Sequence, residues 1–84
     1  MAQLDKLKRS FKACSGSYPF RDFVRMAEAM GYELLQTGRT GGSRRRYMNK
    51  ASGHTLFMDE PHDGEMKPGM VRRLREELEG RSAL

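Results

Sequence analysis

The chain has 84 residues, a formal net charge of +5 and a sequence pI near 9.8; it lacks tryptophan and is 37% apolar. That is one domain with a small core, and its basic balance favours nucleic acid or another polyanion as partner. The lone cysteine, Cys14, excludes an internal disulfide, and no run approaches the ~20 apolar residues of a membrane span. With no apolar signal-peptide core in MAQLDKLKRS, the expectation is a single cytoplasmic domain over 1–84 with no membrane partner.

Leu4, Leu7 and Phe11 recur at helical spacing, with Lys6, Lys8, Arg9 and Lys12 on the other side. The pattern predicts a short amphipathic docking helix with a solvated face. Ser15-Gly16-Ser17 interrupts it. Pro19 suits the first turn of a second helix, where its missing N–H is not needed. Phe20, Phe23, Val24, Ala27 and Met30 then form one apolar stripe, which predicts a helix over 19–30. Gly31 is placed to end it in a left-handed conformation.

Tyr32 to Gln36 reads as a first strand, 37–42 as a turn-rich loop and 43–49 as a second strand. Lys50-Ala51-Ser52-Gly53 is short enough for a hairpin connection, and 54–59 forms a third strand. Alternation points Leu56 and Met58 inward, and Thr55, Phe57 and Asp59 outward. The acidic loop 60–65 follows, with Pro61 ending the strand. Pro68 opens a last helix that reaches Gly80 and buries Met70, Val71, Leu74 and Leu78. Arg72–Glu76, Arg73–Glu77 and Arg75–Glu79 are spaced as i, i+4 pairs, each contributing about 0.2–0.5 kcal/mol or less. Residues 81–84 are expected to fray. Three strands with short connections make an antiparallel meander, and two main helices must cover its apolar face. The expected fold is α+β, with the α-β-β-β-α order of double-stranded-RNA-binding domains plus a short N-terminal helix.

The functional reading centres on the window from Arg39 to Lys50. It holds five basic residues, Arg39, Arg44, Arg45, Arg46 and Lys50, and no acidic one. Gly41 and Gly42 allow a tight turn before the strand. Alternation places Arg44 and Arg46 on one face, and Ser43, Arg45 and Tyr47 on the other. Two readings stand side by side: charge that protects a strand from edge pairing, or a surface for an anionic ligand such as RNA. Phe57, on the open face, either stacks against a base or covers the hairpin.

Three pieces together resemble a known family: the corner Met30-Gly31-Tyr32, the turn Gly42-Ser43 into a strand, and Pro61-His62 followed by Glu65-Met66-Lys67-Pro68-Gly69-Met70-Val71-Arg72-Arg73-Leu74. Over about residues 19–80 the chain is similar to the HicA toxins of HicAB toxin–antitoxin modules. The resemblance implies a double-stranded-RNA-binding-like fold, mRNA cleavage as an mRNA interferase, and neutralisation by a HicB-type antitoxin. The family's usual histidine after Gly-Ser is replaced here by Arg44, as in a divergent Gly-Ser-Arg-x-Arg-aromatic subgroup. Arginine cannot act as a base near neutral pH, but it can hold a phosphate and stabilise developing negative charge.

Only His54 and His62 titrate near neutrality when unperturbed. His54, beside the hairpin turn, is read as structural or incidental. His62, in a loop where the family motif also has a histidine, is the candidate acid or base, with Arg44 and Arg46 as phosphate clamps. The candidate RNA-binding set is Arg39, Ser43, Arg44, Arg46, Lys50 and Lys67. The carboxylates Asp59, Asp63 and Glu65 match no metal-binding spacing, so no metal or cofactor is expected. A non-catalytic RNA-binding domain and a protein-interaction module using the methionines remain the alternatives.

Overall fold

The computed structural model describes residues 2–35 and 44–84. The order is α1 (Ala2–Ala13), β1 (Tyr18–Pro19), α2 (Phe20–Ala29), β2 (Tyr32–Leu34), β3 (Arg44–Asn49), β4 (Thr55–Asp59), β5 (Glu65–Met66) and α3 (Pro68–Gly80). Strands β2, β3 and β4 form an antiparallel meander in that order. Tyr32 lies opposite Asn49, Leu34 opposite Tyr47, and Tyr47 opposite Leu56. The α+β class and the antiparallel three-stranded sheet agree with the sequence reading.

The alternation along β3 and β4 sets the layering. Tyr47, Leu56 and Met58 are buried while Arg44, Arg46, Phe57 and Asp59 are exposed. The inward residues join Tyr32 and the helical stripes in one core: Phe23, Met26 and Ala27 from α2, and Val71, Leu74 and Leu78 from α3. Full burial of one such large apolar side chain contributes about 1.5–3 kcal/mol, so these positions carry the fold. Helix α1 is part of that core, because Phe11 is fully buried and packs its ring 5.1 Å from both Tyr18 and Phe23.

Two short strands were not legible in the sequence. β1 pairs antiparallel with β5, Tyr18 opposite Met66 and Pro19 opposite Glu65. The Phe20 N–H donates to the Gly64 carbonyl at 2.9 Å, so the chain that follows β4 is fastened to the start of α2. Pro19 consequently precedes the helix in an extended conformation (φ −60°, ψ 124°) instead of sitting in its first turn. Two residues are too few to show alternation, so neither strand leaves a periodic trace.

Gly31 has φ +102°, as the cap of α2 requires. Asn49 binds this corner to the hairpin. Its Nδ2 donates to the Met30 carbonyl, and its Oδ1 accepts from the Ala51 and Ser52 N–H groups. At the other end, α3 stops at Gly80, but the left-handed residue is Ser82 (φ 58°). Ser82 N donates to Glu79 O and Ala83 N to Leu78 O, so these two carbonyls of the last turn are satisfied. Ala83 and Leu84 pack against the core, which corrects the expectation of a frayed tail. Of the three helical ion pairs expected on α3, the described residues form Arg73–Glu77 alone, at 3.8 Å. Arg75 turns instead to donate to the Cys14 carbonyl, tying α3 to the end of α1.

Candidate nucleic-acid interface

The outward face of β3 and β4 carries the arginines in register with an aromatic ring. Arg46 lies directly opposite Phe57, and Arg44 opposite Asp59. Phe57 is 57% exposed, more than Leu34, the other large apolar side chain exposed among the described residues. Arg44 and Arg46 stand about 7 Å apart by strand rise. Neither forms a side-chain hydrogen bond or ion pair with another described residue. A sheet face that offers two uncommitted guanidinium groups around a ring suits a ligand with phosphates and flat apolar groups.

Carboxylates brought in by strand pairing compensate the other cations of the window. Arg45, on the inward side, holds Glu60 at 2.7 Å and also donates to the Arg44 carbonyl. Lys50 stands 3.4 Å from Glu33 of β2, with both side chains well exposed. Among the described residues of the window, the cations left without such a carboxylate contact are Arg44 and Arg46. Arg39 and Ser43, with Gly41 and Gly42, lie outside the described residues.

His62 is exposed in the turn between β4 and β5. The flanks of that turn are anchored by Glu60 to Arg45 and by Gly64 to Phe20, on the side of the sheet where the helices pack. Asp63 holds the same turn by accepting the Glu65 N–H at 3.0 Å. No described contact joins His62 to Arg44 or Arg46. Lys67 is exposed and caps α3 through its backbone, the Val71 N–H donating to its carbonyl. Among the described residues no group of three His, Cys, Asp or Glu side chains is placed to hold a metal. No described helix is long and apolar enough to cross a membrane.

A second constellation sits on the inward side. The Tyr32 hydroxyl lies 2.7 Å from His54 Nδ1, and His54 Nε2 lies 2.8 Å from a Glu77 carboxylate oxygen. An imidazole with its proton on Nε2 accepts from the phenol and donates to the carboxylate, so all three groups are satisfied. Burial pushes the Tyr32 phenol above its usual 10.0, Arg81 opposes this, and Glu77 adds to it. His54 is thus structural, as expected, but its role is larger than that of a hairpin residue. It ties β2 and α3 to the residue just before β4, which no local motif announces because Tyr32, His54 and Glu77 lie far apart in the chain.

Comparison with protein-family models, with characterised proteins and with solved structures finds no match for this chain.

Proposed function

We propose that this chain is a HicA-like toxin that engages RNA through the outer face of β3 and β4. The observation that carries the reading is the uncommitted pair Arg44 and Arg46 beside the exposed ring of Phe57. The Gly42-Ser43 pair in the sequence, the Pro-His loop and the Lys-Pro-Gly entry into α3 support the family assignment, with an acidic HicB-type antitoxin as the partner that masks the basic face. The double-stranded-RNA-binding-like order of the helices and meander belongs to the same proposal.

Cleavage without metal requires three things. A base takes the proton of a ribose 2′-hydroxyl, and that oxygen attacks the adjacent phosphorus. A cation stabilises the phosphorane, and an acid protonates the departing 5′-oxygen. Arg44 supplies the cation, and His62 is the proton-transfer candidate. Binding without cleavage is the second reading, favoured by the anchoring of the His62 turn toward the helices. Induced expression in a bacterial host separates them. The toxin reading expects growth arrest by the wild type, loss of arrest with retained RNA binding in His62→Ala, and loss of both in Arg44→Ala. Wild type that binds RNA without arresting growth or cutting RNA establishes the second reading. Full toxicity of His62→Ala removes His62 from the reaction.

A further inference from the structure

A cleft of about 540 Å³ opens between α1, the β3–β4 hairpin and the turn after α3. Its size falls within the range of small-ligand sites. The described lining includes two cations, Lys8 and Arg81, and no carboxylate. Neither cation forms a side-chain hydrogen bond or ion pair with another described residue. Ser52 also lines the cleft; its oxygen accepts the His54 N–H at 3.3 Å, which leaves its own proton to donate. The Tyr32 hydroxyl is engaged with His54 at 2.7 Å, so the part of Tyr32 offered to the cleft is its ring. Leu4 and Met30 provide further apolar wall.

Two effects oppose an anion here, the Glu77 carboxylate that acts on the Tyr32 phenol and the helix ends. The C-terminal ends of α2 and α3 both border the cleft, and each carries roughly half a negative charge. Together they amount to about one negative charge against two full cations, and the α3 carbonyls of Leu78 and Glu79 already accept backbone N–H groups. With Glu77 the negative groups around the cleft about equal the two cations, so Lys8 and Arg81 act on a phosphate through their side-chain donors and not through a net positive field.

We propose that this cleft binds a small phosphate-bearing ligand with a flat apolar body, a mononucleotide by chemical class. Lys8, Arg81 and the Ser52 hydroxyl hold the phosphate, and the ring rests on Leu4, Met30 and Tyr32. The site shares none of Arg44, Arg46 and Phe57, so it stands independently of the RNA-binding proposal.

Amide NMR titration of the full chain tests it, with adenosine monophosphate, adenosine and inorganic phosphate as separate probes. The expected result is saturable shifts at Ala51, Ser52, Ser82 and Ala83 with adenosine monophosphate, and binding at least about tenfold weaker for the other two probes. Lys8→Ala combined with Arg81→Gln raises the dissociation constant at least about tenfold. Arg44→Ala with Arg46→Ala leaves the titration unchanged. No saturation at millimolar adenosine monophosphate overturns the proposal, as does unchanged affinity in the Lys8 and Arg81 variant. So do shifts centred on 44–49. Adenosine binding as well as its phosphate overturns the role of the cations, and inorganic phosphate binding as well as the nucleotide overturns the role of the apolar wall.

Discussion

The pairing of Arg45 with Glu60 and of Lys50 with Glu33 changes what salt should do to the proposed RNA binding. Counting charge along 39–50 would assign four or five phosphate contacts and a slope of log affinity on log salt near −3 to −4 for single strands. On the described sheet face the uncommitted cations are Arg44 and Arg46, whose joint contribution to the slope is about −1.4. Replacing both with alanine should therefore flatten the slope by about that amount. The part of affinity they supply falls about sevenfold between 50 and 200 mM salt, and this component should vanish in the double variant. Glu33→Gln should act in the opposite direction. It frees Lys50 and steepens the slope by about 0.7 if Lys50 then reaches a phosphate. Fluorescence anisotropy of a labelled single-stranded RNA, over a series of salt concentrations, measures all three slopes. An unchanged slope in the double variant would refute the assignment of these two side chains to phosphate, whatever happens to affinity at one salt concentration.

Three further outcomes follow from the core. His54→Ala strips partners from the buried Tyr32 hydroxyl and from Glu77, so denaturant unfolding should show a loss of about 1–3 kcal/mol with RNA binding unchanged. Tyr18 is 4% exposed, and its hydroxyl has no hydrogen-bond partner among the described residues; Tyr18→Phe should raise stability by about 1 kcal/mol in the same assay. Burial first, and Glu28 and Glu60 after it, hold the Tyr47 phenol above 10.0 against the pull of Arg45. A raised folded value favours the neutral phenol in the native state, so the stabilisation is intact below pH 10 and is lost as pH climbs toward the folded value. Tyr47→Phe should flatten the alkaline limb of a stability–pH profile, and an identical limb in both proteins would contradict the shift.

What could be read from the sequence was whatever repeats locally. The stripes of α2 and α3 and the alternation of β4 showed their buried faces directly, and the outward placement of Arg44, Arg46 and Phe57 followed from a period of two. What could not be read depends on which residues the fold brings across. Glu33 and Glu60 lie far enough from the basic window that a charge count along the chain treats Lys50 and Arg45 as uncompensated. His54 joins Tyr32 and Glu77 only after the meander and α3 are assembled. Arg75 was expected to meet Glu79 one turn away, yet it reaches the Cys14 carbonyl, because a partly buried carbonyl at the end of α1 gains more from a charged donor than an exposed carboxylate does.

The two-residue ladder between Tyr18 and Met66 has a consequence for the order of assembly. It closes a loop that spans the whole meander, and closing so long a loop costs chain entropy that two residue pairs alone do not recover. The ladder therefore forms when the sheet and α3 are already in place, as a latch and not as a nucleus. During synthesis, α1 and α2 leave the ribosome well before Met66 and the buried stripe of α3. Until those arrive, Phe11, Tyr18 and Phe23 lack the partners that cover them, and the N-terminal third of the chain waits as an exposed apolar surface. If the sheet binds a polyanion as proposed, the basic face is a late product: the hairpin can exist early, but its rigid backing arrives with the last helix.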